Sequence, residues 1–282
     1  MTTTMYLCRH GETEANLAGV LQGQSESDLT PKGRAQAELL ATALARRCVA
    51  GAAVYSSDLR RAVDTANAVV KSQPVASTLL TDPRLRERRL GALQGRAEKE
   101  SRRLFPQVWQ SFVTESPCEP GTPGAMEEGG LELGVDVRRR VGEALRSIAA
   151  AHAGERVVVV VRRGIRTQAR AAPFHNHEPR RVRLPSTARA RPACLPLDGL
   201  HPAALSLKRT PCPWQSHGGT IYTALQEVTA IQDDGIPHIG NCSISTLEIT
   251  ADGAWRAVEL GECSHMAAVG NDLTKQAGAD WR

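Results

Sequence analysis

Aromatic side chains are scarce in this chain, at 4% of its 282 residues. It has no basic strip interleaved with aromatic residues that could stack on bases, so we expect no nucleic-acid partner. Long apolar runs are also missing, since none approaches the roughly 18 to 20 residues that a membrane-spanning helix needs. The first residues lack a basic segment and a small-residue cleavage site, which argues against a secretory signal. These absences favour a globular protein of the cytoplasm with no membrane partner.

Paired cysteines are absent as well. The seven cysteines are odd in number, widely scattered and never arranged as CxxC, which argues against a zinc site and against a disulfide framework. The spacings of histidines and carboxylates do not suggest a metal site either. We therefore expect free thiols in a reducing compartment, no metal and no cofactor.

The basic character of the chain, with a net charge of +5 and a pI of about 9.0, belongs to one stretch. Residues 162–215 carry eleven Lys and Arg against two acidic residues, a local charge of +9 that leaves −4 for the rest of the chain. The same stretch holds eight prolines and shows no sustained period of 2 or 3.6. It therefore predicts a disordered basic insertion.

Strands and helices alternate along the remainder of the chain. The predicted strands cover residues 5–8, 52–55, 157–161, 243–250 and 255–260. The predicted helices cover residues 31–47, 58–71, 98–113 with a break at Pro106, 132–152, and a run that ends near 231. Residues 12–16 are expected to continue a loop after the first strand. The valine run at 157–161 is typical of a central strand covered on both faces, so the pattern predicts a three-layer α/β/α sandwich with a mostly parallel central sheet.

Several motifs follow one another in a fixed order. Residues 7–13 read LCRHGET, 21–24 read LQGQ, 56–66 read SSDLRRAVDTA, 85–95 read LRERRLGALQG, 216–219 read SHGG and 241–245 read NCSIS. Together they resemble the signature of the histidine phosphatase superfamily, on the phosphatase branch of the phosphoglycerate-mutase-like proteins. The chain is also similar to plant phosphoglycerate-mutase-like proteins.

The resemblance implies a metal-independent phosphomonoester hydrolase that works through a phosphohistidine on His10. It assigns the general acid and base to Glu87 and a second catalytic histidine to His217. Arg9 and Arg61 would bind the phosphate, because guanidinium groups suit a phosphate dianion in bidentate geometry. The other residues predicted to bind the substrate, a small phosphorylated metabolite, are Asn16, Gln22, Gly23 and Gly218.

Three acidic or basic residues near these motifs have other interpretations. Glu87 stands in an arginine-rich stretch and could be an ion-paired surface carboxylate of little energetic weight. Arg60, next to Arg61, is the better candidate for an ordinary surface arginine. Glu132 stands one position away from the acid that the family carries in G-G-E-S, and we assign it no role.

The valine strand runs directly into S-H-G-G in the family, but here 54 residues intervene. We predict a single domain of residues 1–161 and 216–266, interrupted by the insertion at 162–215 and followed by a flexible tail at 267–282. The insertion is either a genuine loop at the mouth of the active site or, as we favour, a retained intron, since Val codons begin with GT and Gln215 can be encoded by CAG.

Three functions follow from this sequence. A phosphatase comes first. A cofactor-dependent phosphoglycerate mutase is second, although its motif usually reads H-G-N where this chain has H-G-G. An inactive phosphatase-like binding protein is third, because residues 162–166 could continue the strand in place of 216–220. We expect this form of the protein to be impaired.

Overall fold

Six strands of the computed structural model form one sheet, and the structure describes residues 1–47, 49, 51–74, 77–161, 220–231, 236–237 and 239–269. The strands are β1 (Thr3–Arg9), β2 (Ala53–Ser56), β3 (Leu79–Thr81), β4 (Arg156–Val161), β5 (Ile244–Ile249) and β6 (Trp255–Glu262). The helices are α1 (Glu14–Leu17), α2 (Pro31–Arg46), α3 (Arg60–Ser72), α4 (Glu98–Leu104), α5 (Pro106–Thr114), α6 (Gly134–Ala151) and α7 (Thr220–Thr229). Short 3-10 helices cover Pro83–Leu85, Gly91–Leu93, Glu127–Gly129 and Ser264–Val269.

The strands lie in the order β3-β2-β4-β1-β5-β6. The first four run parallel to one another, and β1 pairs with β4 from Thr4 opposite Arg156 to Arg9 opposite Val161. β5 and β6 continue the sheet in the antiparallel sense. The mostly parallel central sheet is therefore confirmed.

Helices cover both faces of this sheet. All five valines of Val157–Val161 are fully buried, as expected of a central strand. One hydrophobic cluster joins Leu7 to Leu145 of α6 and to α7, and a second joins Cys8 to Leu40 of α2 and Val69 of α3. Successive residues of β1 thus pack on opposite faces. The three-layer α/β/α arrangement is confirmed.

Local sequence signals fix several element boundaries. α2 begins where predicted, because the Thr30 hydroxyl accepts a hydrogen bond from the Gly33 amide at 2.9 Å and Pro31 fills the first helical position. The helix predicted over 98–113 is divided into α4 and α5 at Pro106, as expected.

One expectation for an irregular segment is wrong. Residues 14–17 form α1 instead of a loop, since the side chains of Thr13 and Asn16 each accept a hydrogen bond from the other's backbone amide. The predicted tail begins inside the 3-10 helix Ser264–Val269, in which Met266 is fully buried.

The insertion at 162–215 and the rest of the predicted tail lie outside the described residues, and the domain boundaries stay predictions. α7, which follows the insertion in sequence, packs in the same layer as α6. Within the described residues, no helix combines the length and the apolar character needed to cross a membrane.

Two glycines allow the loop after β1 to lie directly against the first turn of α2. A Cβ atom at Gly11 would lie well inside 3.0 Å of the Gly33 carbonyl oxygen, and one at Gly33 would meet the Glu12 carbonyl oxygen in the same way. Both obstacles are backbone atoms, which cannot rotate aside. The loop that carries His10 is therefore held at a distance that only glycine permits.

We predict that Gly33→Ala lowers the free energy of unfolding by about 2 kcal/mol, because overpacking against the Glu12 carbonyl outweighs the better helix propensity of alanine. Gly142→Ala in α6 is the matched control. Its Cβ would meet side-chain atoms instead of backbone, Cγ of Glu227 at 2.6 Å and Nη2 of Arg146 at 2.9 Å, so we expect a smaller loss than for Gly33→Ala. Urea denaturation measures both, and a Gly33→Ala protein as stable as the parent would contradict the prediction.

Candidate active site

Three of the predicted site residues lie at one edge of the sheet. His10 follows β1, Arg61 lies in the first turn of α3 after β2, and Glu87 follows β3. Because these strands run parallel, their carboxyl ends meet at the same edge, where α/β sheets bind ligands. The amide of His10 donates a hydrogen bond to the carbonyl of Val161 at 3.0 Å, so the end of β4 lies at this edge too.

The imidazole of His10 is fully buried and held in one orientation. Its Nδ1 lies 2.5 Å from the carbonyl oxygen of Gly11. A carbonyl oxygen can only accept, so Nδ1 carries the hydrogen, and the lone pair of the neutral ring is on Nε2. The side-chain amide of Asn241 donates to the backbone oxygen of His10 at 3.1 Å, which fixes the main chain as well.

Arg9 and Arg61 bring two buried guanidinium groups to this edge. Arg9 is 7% exposed and donates through Nη1 to the carbonyl of Ile239 at 3.1 Å. Arg61 is fully buried and donates through Nη1 and Nη2 to the carbonyls of Ser25 and Gly23, both at 2.8 Å. Backbone carbonyl oxygens thus accept hydrogen bonds from both groups and help to orient them.

Thr65 of α3 connects this helix to the loop after β1 that carries His10. Its hydroxyl donates to the Arg61 carbonyl at 2.8 Å and accepts from the Gly11 amide at 3.1 Å. One side chain thereby positions Arg61 relative to the residue that follows His10.

The loop at 22–25 lies between Arg61 and Glu87. Gln22 donates to the Thr13 hydroxyl at 2.7 Å, and Gln24 donates to the Glu87 carbonyl at 2.9 Å. Gly23 has a φ of +51° and supplies one of the carbonyls that Arg61 binds. The predicted residues Gln22 and Gly23 therefore lie in the loop that connects Arg61 to Glu87.

Glu87 is only 3% exposed, so its interpretation as a surface carboxylate is wrong. Its Oε1 accepts from the Arg88 amide at 2.9 Å. Neighbouring arginines form ion pairs with other acids, as Arg86 does with Asp58 through two hydrogen bonds of 2.6 and 2.5 Å. Those bonds hold the pKa of Asp58 below its ordinary value. Arg60, by contrast, has a side chain that is 65% exposed, as expected of a surface residue.

Two buried thiols lie close to His10 in the structure. Cys8 precedes Arg9, and the amide of Cys242 donates to the Arg9 carbonyl at 3.1 Å. Burial raises the pKa of Cys8 to about 12 and raises that of Cys242 as well. Both therefore stay protonated near pH 7, and a thiol is a far weaker nucleophile than a thiolate.

Not every predicted residue can be placed. Asn16 caps α1 in this structure, and its part in binding substrate stays a prediction. His217 and Gly218 lie outside the described residues. Among the residues that the structure describes, no group of three or more His, Cys, Asp or Glu side chains could hold a metal ion.

Sequence reasoning missed several residues that hold the site together. They are Gln24 and Thr65, together with Gln94 and Arg140. Gln94 accepts from the Gln24 amide at 2.8 Å, and Arg140 donates to the Glu87 carbonyl at 3.0 Å. Thr65 and Gln94 stand inside quoted motifs, and Gln24 ends one, which is a signal that could have found them. Arg140 stands in an amphipathic helix beside Arg138 and Arg139, where its sequence context resembles that of a surface residue.

Residues 5–190 match the family model of the histidine phosphatase superfamily (branch 1). The match covers more than half of the chain, and together with the fold and the residues at the sheet edge it shows that the chain belongs to this superfamily. It ends before Ser216 and so does not include the predicted second-histidine motif.

Two proteins of Arabidopsis thaliana are similar in sequence. The metal-independent phosphoserine phosphatase is 40% identical over 163 residues, which are 58% of this chain and 65% of that protein. Phosphoglycerate mutase-like protein 4 is 36% identical over 157 residues, which are 56% of this chain and 65% of that protein. The chain thus spans slightly less than two thirds of the length of these relatives, and the predicted similarity to plant proteins of this kind is confirmed.

The fold also matches solved structures. YhfR of Bacillus stearothermophilus aligns with a TM-score of 0.63 and 26% sequence identity, over 94% of this chain and 99% of that chain. This likeness supports the α/β architecture that places His10, Arg61 and Glu87 at one edge.

We predict that Arg61→Lys lowers the free energy of unfolding by about 1 to 3 kcal/mol, because one ammonium group cannot replace two charged hydrogen bonds to Gly23 and Ser25. Arg60→Lys is the matched control. Its exposed guanidinium pairs with Asp28 at 3.1 Å, and such pairs contribute below about 1 kcal/mol. Equal stability of the two variants in urea denaturation would show that Arg61 does not hold the loop.

Proposed function

We propose that the chain is a phosphomonoester hydrolase that transfers the phosphoryl group of its substrate to Nε2 of His10. The observation that carries this proposal is the hydrogen bond from Nδ1 to the Gly11 carbonyl, which leaves the lone pair of the buried ring on Nε2. The guanidinium groups of Arg9 and Arg61 at the same edge would bind the phosphate oxygens in bidentate fashion.

The reaction proceeds in two steps. Nε2 of His10 attacks phosphorus, the bond from phosphorus to the ester oxygen breaks, and Glu87 gives its proton to the leaving alkoxide. Water then attacks the phosphohistidine and gives a proton to Glu87, which releases inorganic phosphate and regenerates His10. The fixed guanidinium groups stabilise the charge on the transferred group in both steps. His217 is proposed to donate further hydrogen bonds to the phosphate oxygens.

Phosphoserine is the first substrate to test. A relative 40% identical to this chain is a metal-independent phosphoserine phosphatase. We also propose that the protein works in the cytoplasm, where Cys8, Cys118, Cys242 and Cys263, all free in this structure, would remain reduced.

We predict release of phosphate from phosphoserine and a phosphohistidine, labile in acid, that can be trapped by rapid quenching. His10→Ala should abolish trapping and lower kcat by about 10³-fold or more, since it removes the attacking atom. His152→Gln is the matched control, because His152 lies before the amino end of β4, at the opposite edge, and is bonded to Tyr55 and Glu155. Label that persists in His10→Ala would contradict the proposal.

A phosphoglycerate mutase is the second candidate. A similar protein is named phosphoglycerate mutase-like protein 4, whereas the H-G-G sequence at 217–219 favours the phosphatase. The same preparation, supplied with 3-phosphoglycerate, separates the two. Release of phosphate supports the phosphatase, and conversion to the 2-isomer without release supports the mutase.

An inactive phosphatase-like binding protein is the third candidate. Removing the insertion at 162–215 tests whether it impairs activity. We predict that deleting residues 162–215 raises kcat/KM for a simple aryl phosphate, because residues 162–166 no longer compete with 216–220 to continue β4. His10→Ala in the deletion form controls for contaminating phosphatases. Equal activity of the full chain and the deletion form would refute the predicted impairment.

A further inference from the structure

Arg140 of α6 makes contact with the segment that carries the proposed acid. Its Nη1 donates to the carbonyls of Arg84 and Arg86 at 2.7 and 2.6 Å. Its Nη2 donates to the carbonyl of Glu87 at 3.0 Å. One guanidinium thus binds three backbone oxygens within residues 84–89, which we call the acid segment.

Glu132 completes this arrangement. It accepts two hydrogen bonds from Arg140, at 2.6 and 2.9 Å, and the two side chains are 12% and 19% exposed. Glu132 also binds the other end of the acid segment, because its carboxylate accepts from the Arg89 amide at 3.0 Å and its backbone oxygen accepts from Nε of Arg88 at 2.6 Å. The pair therefore holds the acid segment on both sides of Glu87.

The position of the Glu87 carboxyl group depends on this backbone. Its Oε1 accepts from the Arg88 amide, so a shift of the main chain shifts the carboxyl group with it. Proton transfer to a leaving group requires hydrogen-bond distance, and an error of about 1 Å can cost 10²-fold in rate.

We propose that Arg140, paired with Glu132, is a positioning residue that sets the orientation of Glu87 for proton transfer. The proposal rests on the proposed role of Glu87 as general acid. It requires the planar fork of arginine, because the single ammonium of lysine cannot reach three carbonyls and two carboxylate oxygens together.

Arg140→Lys tests the proposal with a charge retained opposite Glu132. We expect kcat/KM for phosphoserine, whose alkoxide needs a proton to leave, to fall by about 10- to 100-fold. For 4-nitrophenyl phosphate, whose phenolate leaves without one, we expect a fall below about three-fold. Arg139→Lys is the matched control, because Arg139 is 67% exposed and pairs with Asp136 on the same helix. An equal fall on both substrates, or none, overturns the proposal.

Hydrogen exchange tests the same contact without requiring activity. Arg140→Lys should speed exchange of the amides in the acid segment, including those of Arg88 and Arg89, while Arg139→Lys should leave them unchanged. Glu132→Gln, which keeps one acceptor for Arg140, should give a smaller change in the same direction. Unchanged exchange in Arg140→Lys overturns the proposal even if the variant loses activity.

The two experiments separate failure of this proposal from failure of the proposed function. If the parent protein hydrolyses no phosphomonoester, the proposed function fails, and exchange alone decides whether Arg140 holds the acid segment. If Glu87→Gln lowers kcat/KM equally for both substrates, Glu87 is not the acid, and the positioning role for catalysis is rejected with it.

Discussion

The parallel pairing of β1 with β4 determines where the chemistry of this protein lies. The two strands pair as far as Arg9 opposite Val161. The next amide, that of His10, donates a hydrogen bond to the Val161 carbonyl. Because β2 pairs with the other side of β4 and β3 with β2, the loops after these strands open at the same edge. Arg61 and Glu87 lie at the same edge as His10, although they come from different parts of the sequence, because the strand order brings them there.

Buried arginines are the second constraint. Moving a guanidinium out of water is costly, and burial lowers the pKa of Arg88, whose side chain stacks on Phe112 and lies 3.7 Å from Glu115. Arg61 is satisfied differently, since backbone carbonyls accept its hydrogen bonds. These hydrogen bonds fix the orientation of the guanidinium relative to the loop at 22–25, and preorganised charge of this kind is what the proposed phosphate binding requires.

Local signals account for what the sequence could predict. Thr30 and Pro31 define the start of α2, and the valine run defines β4, because each acts through its own neighbours or its own burial. α1 was missed since its cap depends on two reciprocal hydrogen bonds over four residues. Arg140 was missed for a different reason. Its partners include carbonyl groups more than fifty positions away, and a backbone oxygen leaves no mark on the sequence.

The end of β4 connects the fold to the question of activity. Val161 is both the last residue of the central strand and the acceptor for the His10 amide, so β4 ends directly beside His10. A change in the strand at this point would remove the hydrogen bond from the His10 amide to Val161. The contacts of Nδ1 with Gly11 and of the His10 carbonyl with Asn241 are independent of β4. These contacts hold His10 in place, so its orientation does not depend on the hydrogen bond to Val161 alone.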